Sequence, residues 1–195
     1  MVSSRYLNSN IQITNIKISC ALNQSFKKDF NSFNKKRYHI SRRSSSFFVI
    51  RCIKQSFVLI IFYKGHINIT GIRDWQDIGR AYTIVHYFAQ RIQAKVLYRK
   101  IDNISASFFF NNSVKLKLLL PSFCQFIRDG SYFKTVNLNL DKFAGACLRS
   151  DKGTVVLFST YSCYTVGAKS IHALNALYKY MNIQLLNFQI SQTDD

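Results

Sequence analysis

Leu59-Ile60-Ile61-Phe62-Tyr63-Lys64-Gly65-His66-Ile67-Asn68-Ile69-Thr70-Gly71-Ile72-Arg73 carries mostly β-branched and aromatic apolar residues on either side of Lys64-Gly65. A two-residue link containing glycine suits a tight turn, because glycine takes the positive φ that such turns demand. Phe57–Tyr63 and His66–Thr70 therefore read as the two strands of a hairpin, and Gly71-Ile72-Arg73 ends the sheet. Upstream, Phe47–Ile53 reads as another strand, and so does Ile11–Cys20, where Ile11, Ile13, Ile16 and Ile18 are interleaved with polar residues. Between them, Ala21–Tyr38 has room for one or two short helices around Phe26, Phe30 and Phe33. A basic, serine-rich loop is expected from Arg37 through Arg42 and Arg43 to Ser46. Downstream, Asp74 is a candidate N-cap, and Trp75, Ile78, Tyr82, Val85, Ala89 and Ile92 recur at helical spacing, which predicts a helix over 74–93.

The second half follows the same order. Ile101–Phe109 reads as a strand, Val114–Asp129 as a mixed segment holding Pro121, and Gly130–Leu140 as a loop. Phe143–Leu148, Val155–Phe158 and Tyr161–Val166 read as strands, and Ser170–Met181 as a helix with Ile171, Leu174, Leu177 and Tyr178 on one face. Short matches recur in register. Ile13-Thr14-Asn15-Ile16 to Ser19 pairs with Ile101-Asp102-Asn103-Ile104 to Ser107, and Gly71-Ile72-Arg73 with Gly167-Ala168-Lys169. Phe62 and Phe158 precede those glycines by the same interval, and Arg51 and Arg149 end corresponding strands. Such ordered self-similarity predicts a duplicated unit. The expected boundaries are a flexible tail over 1–10, repeats over 11–98 and 99–186, and a C-terminal tail over 187–195.

Charge narrows the function. The 195 residues hold 27 Lys+Arg against 9 Asp+Glu, a formal charge of +18, on a chain that is 48% hydrophobic and so able to bury a core. A foldable chain with that excess suits a polyanionic partner, nucleic acid or an anionic membrane. The longest uninterrupted apolar run, Phe57–Tyr63, is far short of a spanning helix, and Met1–Asn10 is polar, without the apolar core of a secretory signal. Cys20, Cys52, Cys124, Cys147 and Cys163 are odd in number and form no C-x-x-C pair, so buried free thiols in a reducing compartment are expected. His39, His66, His86 and His172 are scattered, without ligand or nucleophile spacing. We expect no catalytic residue, no metal site, no cofactor and no membrane span.

A duplicated, basic, strand-rich unit ending in a long helix resembles the TATA-box-binding protein family. The hairpin stretch Leu59–Arg73 follows that family's L-I-F-x-S-G-K-x-x-x-T-G-A-K signature in phase. Phe143-Ala144-Gly145 with Arg149 resembles its F-P-G-x-x-x-R, and Val156-Leu157-Phe158 with Gly167-Ala168-Lys169 resembles the first signature again. The resemblance implies an α+β saddle, with a curved antiparallel sheet of about ten strands, four helices on its convex face and DNA on its concave face. It also implies a transcription initiation factor that bends A·T-rich promoter DNA. Its partners would be double-stranded DNA, initiation factors and RNA polymerase, with the chain acting as a monomer on DNA in the nucleus, or at the site of viral transcription.

The residue chemistry suits that role. Asparagine amides donate to the acceptors that A·T and T·A share in the minor groove, and Asn15 and Asn103 hold matching positions. Thr70 lies at the family's threonine position. Large apolar rings unstack base steps. Phe143 and Phe158 match both wedges of one repeat, whereas in the other only Phe62 matches, since Ser45 stands opposite Phe143, with Phe47 nearby as a substitute by register shift. Arg51, Arg149, Arg73 and Lys169 fall at phosphate-contact positions, and Arg42, Arg43, Lys64 and Lys152 add charge near the loops. Asp141 matches an acidic position that faces an initiation factor. Lys17, Asn68, Ser105 and Tyr164 replace the family's groove-facing valines, Val166 its second threonine and Tyr161 its hairpin glycine. That altered floor keeps a second function open, an interaction scaffold or DNA binder without TATA specificity.

Overall fold

A computed structural model describes residues 7–26, 38–52, 56–110, 119–128, 130 and 132–191. Among these lie ten strands and three helices: β1 (Ile11–Leu22), β2 (Tyr38–Arg43), β3 (Phe47–Cys52), β4 (Val58–Phe62), β5 (His66–Ile72), α1 (Asp77–Arg91), β6 (Val96–Phe108), α2 (Leu120–Arg128), β7 (Thr135–Leu138), β8 (Gly145–Ser150), β9 (Gly153–Phe158), β10 (Cys163–Ala168) and α3 (Ile171–Ser191). The chain forms two compact units, Thr14–Asn103 and Met1–Ile13 with Ile104–Asp195.

In the unit Thr14–Asn103 the strands run in the order β2-β3-β4-β5-β1, antiparallel throughout. Alternation decides their faces. Ile16, Ile18 and Cys20 of β1, Phe48 and Ile50 of β3, Leu59 and Ile61 of β4, and Ile67 and Ile69 of β5 point to one side and are buried. The apolar stripe of α1, Ile78, Ala81, Ile84, Val85, Phe88 and Ala89, is buried with them. Phe88 sits 5.2 Å from Phe26 and 6.1 Å from Phe48, ring centre to ring centre, at the angles edge-to-face aromatic pairs prefer. The helix is shorter than the spacing predicts. Asp74 does not cap it: its carboxylate accepts from the Gln76 N–H at 2.8 Å in a turn ahead of Asp77. The predicted short helices around Phe30 and Phe33 lie outside the described residues, and Phe26 is in irregular chain.

In the other unit the strand order is β6-β10-β9-β8-β7, also antiparallel. Ile104, Ala106 and Phe108 of β6, Ala146 and Leu148 of β8, and Val155 and Leu157 of β9 are buried, as are Phe123, Cys124 and Ile127 of α2 and Leu174, Leu177, Met181, Leu185 and Phe188 of α3. Pro121 sits in the first turn of α2, where its missing N–H leaves no hydrogen bond unmade. The one buried polar side chain among the described residues, Thr165, donates its hydroxyl to the Thr154 carbonyl at 2.9 Å.

Four expectations change. The basic segment Arg37–Ser46 contains β2, and the loop Gly130–Leu140 contains β7. Both close the outer end of a strand order, where pairing on one side alone holds a strand whose composition is polar. α3 continues past Met181 to Ser191, because Leu185 and Phe188 keep the buried stripe in phase, and it takes in Asn187–Ser191, which the sequence reading leaves to a tail. The four helices implied by resemblance are three among the described residues.

Candidate nucleic-acid interface

The strand side chains facing away from α1 form an open face. Register puts them in cross-strand rows: Phe47 opposite Phe62; Val49, Ile60, Asn68 and Ser19 in line; and Arg51, Val58 and Thr70 in line. In the other unit the open face of the sheet shows Cys147, Val156, Tyr164 and Ser107 in line, and Arg149, Thr154 and Val166 in line. Phe158 lies opposite Gly145.

Each open face ends in two phenylalanines. Phe47 and Phe62 have ring centres 5.6 Å apart and planes at 50°; Phe143 and Phe158 are also 5.6 Å apart, at 63°. Register thus gives Phe62 the neighbour that alignment with Ser45 denied it, since Ser45 is exposed in the turn before β3. Phe143 is 41% exposed and precedes β8 rather than opening it, its N–H bonded to the Asn139 carbonyl at 2.9 Å. Gly145 makes room for this pair: a Cβ there would lie 2.9 Å from the Phe143 ring and 3.0 Å from that of Phe158. Sequence reading quoted Gly145 only as part of a motif. Its role shows once the strands are in register.

Asn15 is half-buried on β1. Its Oδ1 accepts from the Gly71 N–H at 2.7 Å and the Thr70 hydroxyl at 3.3 Å. The cause is local. β5 bulges between Ile69 and Ile72, Gly71 takes φ +88°, and its N–H turns out of the strand ladder toward the amide. Because the backbone N–H can only donate, the oxygen of Asn15 must face it. Nδ2 then points elsewhere and has no partner among the described residues. Asn15→Ala leaves the Gly71 N–H unpaired and is expected to lower stability by about 1–3 kcal/mol, read by urea denaturation.

Gly167 has φ +87° at the corresponding shift between β10 and β6. Asn103 is half-buried on β6. Arg51, Arg149, Arg73 and Lys169 are exposed, none is ion-paired among the described residues, and Arg51 and Arg149 each close a cross-strand row. Lys64, Lys152 and Asp141 are exposed in turns. Arg42 and Arg43 lie on β2 opposite Val49 and Phe48.

The thiols are quiet. Cys20, Cys124, Cys147 and Cys163 are free; burial pushes Cys20 up to about 11, partly offset by Arg99, and raises Cys124 and Cys163 as well. No group of three or more His, Cys, Asp or Glu suited to a metal occurs among the described residues, and no helix there is long and apolar enough to cross a membrane.

No protein-family model and no curated protein matches the chain by sequence. Solved structures do match. Methanococcus jannaschii TBP aligns over 91% of this chain and 99% of its own, with a TM-score of 0.66 at 17% identity. The complex of A. aeolicus tRNASec with M. kandleri SerRS aligns at a TM-score of 0.39 and 9% identity over 31% of that chain, too low to bear on the fold. The chain has a TBP-like fold.

Proposed function

We propose that the two units are repeats of one ancestral unit and that the chain binds the minor groove of A·T-rich promoter DNA, bending it to recruit initiation factors and RNA polymerase in the nucleus or at a site of viral transcription. The observation that carries this reading is the pair of phenylalanine clusters, each 5.6 Å ring to ring at the end of an open strand face. Phe143 is exposed and Phe47, Phe62 and Phe158 are half-buried, none of them in the core, and insertion between base steps is the use that matches their shape. The Nδ2 of Asn15, without a partner among the described residues, supplies a donor of the kind the groove floor accepts, with Asn103 as its counterpart. Arg51, Arg149, Arg73 and Lys169, without an ion pair among the described residues, supply sequence-independent phosphate contacts. Asp141, exposed beside Phe143, is a contact for an initiation factor.

Lys17, Asn68 and Tyr164 on the open faces favour a second reading, a TBP-fold scaffold or DNA binder that has lost TATA specificity. A salt series on an A·T-rich and a G·C-rich duplex, with the bend read by energy transfer, separates the two. The first reading expects a bent A·T-rich complex, with affinity falling about 10³-fold or more between 50 and 200 mM salt if six or more phosphates are contacted. Equal, unbent binding to both duplexes would sink it.

A further inference from the structure

The rows of the open faces differ in one place that bears on which base pairs they admit. Asn68 lies between Ile60 and Ser19, half-buried, and makes no side-chain hydrogen bond among the described residues. Ser19 does not compete for it, because its hydroxyl donates to Asp102 at 3.1 Å. Tyr164 holds the same place between Val156 and Ser107. It is 37% exposed, its ring packs 6.0 Å from that of Phe158 at 32°, and its hydroxyl has no partner among the described residues. Asn68 and Tyr164 stand the same interval before the positive-φ glycines Gly71 and Gly167.

Resting on the minor-groove reading above, we infer that Asn68 and Tyr164 let this protein accept G·C pairs, by taking a hydrogen bond from the guanine 2-amino group. The minor groove shows only acceptors at A·T and T·A, and G·C adds one donor, the guanine N2 amino group. Opposite an aliphatic side chain that donor loses its water and gains nothing, so an apolar floor rejects guanine. An amide or a phenol answers it with an oxygen. Both groups also carry donors, so an A·T pair at the same place is still satisfied when the amide or hydroxyl turns over. The Tyr164 ring packs beside Phe158, and its hydroxyl, with no partner among the described residues, can rotate to donate or accept.

Inosine tests this, because it pairs with cytosine as guanine does but lacks the 2-amino group. Single A·T pairs along an A·T-rich duplex are replaced in turn by G·C and by inosine·C, and affinity is measured for the full chain and for Asn68→Val and Tyr164→Phe. The wild type is expected to bind guanine and inosine duplexes equally at the two positions facing these residues. Each variant is expected to favour inosine about tenfold at its own position only, the size of one unsatisfied hydrogen bond. Tyr164→Phe keeps the ring, so a fold defect cannot mimic that local change. A wild type that itself prefers inosine at every position, or variants that leave the ratio unchanged while still bending DNA, would overturn this inference alone. Failure of the wild type to bind any duplex would overturn the minor-groove reading and this inference with it.

Discussion

Phe47→Ala is expected to reduce the DNA bend as much as Phe143→Ala, each removing about half of it, since each inserted wedge of this kind kinks the duplex by roughly 20–90°. Alignment of Ser45 with Phe143 would make the two ends unequal and leave Phe62 alone as a wedge. The rings themselves are paired at both ends: Phe47 lies directly opposite Phe62, Phe143 packs on Phe158 from the chain before β8, and the ring separations are 5.6 Å in both pairs. Neither ring is part of the core, since Phe48 takes the buried side of β3 at 3% exposure. The alanine variants should therefore fold, and circular dichroism checks that. Ser45→Ala is expected to leave the bend unchanged. Energy transfer between dyes at the duplex ends reads all three. A bend that survives Phe47→Ala but collapses with Phe143→Ala would show that one wedge suffices and that the Phe47–Phe62 pair merely packs.

That contrast also marks how far the sequence was legible. The central strands and α1 were readable because they are buried on one side, and Ile16, Ile18, Ile67 and Ile69 keep a strict alternation that polar substitution would destroy. β2 and β7 were not, for the opposite reason: a strand paired along one edge is held by backbone bonds to a single neighbour, and Tyr38–Arg43 looks like a solvated loop. α3 was read short because its later turns are apolar on all sides. Ile183, Leu186 and Ile190 are exposed while Leu185 and Phe188 are buried, which blurs the period. At the candidate site, the sequence shows the recurring types, Asn15 with Asn103 and Arg51 with Arg149, as pairs, and their DNA contacts are part of the proposal. Phe47 is legible only as a substitute by register shift, because in Phe47-Phe48 nothing but pairing tells which ring goes to the core. Gly145 and the Asn15–Gly71 bond likewise appear only when a second strand is laid beside the first.

Gly65→Ala is expected to cost about 3 kcal/mol or more, whereas Tyr161→Gly, at the matching hairpin, should leave stability within about 1 kcal/mol of wild type or raise it. Both residues have positive φ, +89° and +60°, and both N–H groups bond the carbonyl of the phenylalanine that ends the preceding strand, Phe62 or Phe158, at 2.9 Å. Their surroundings differ. A Cβ on Gly65 would come within 2.5 Å of the Gln24 carbonyl oxygen, and that backbone is fixed because the Leu22 N–H bonds the Gly65 carbonyl at 2.8 Å. The alanine variant therefore combines an unfavourable φ with a clash that no rotamer relieves. Tyr161 already bears the strain of the left-handed region, offset by its half-buried ring and a 3.4 Å bond from Gln189 to its hydroxyl. Glycine there loses those contacts but relieves about 1–2 kcal/mol of backbone strain, so the two changes nearly cancel. Urea denaturation of the two variants measures the difference. Equal losses would mean that the tyrosine contacts, rather than the φ of the turn, hold the second hairpin.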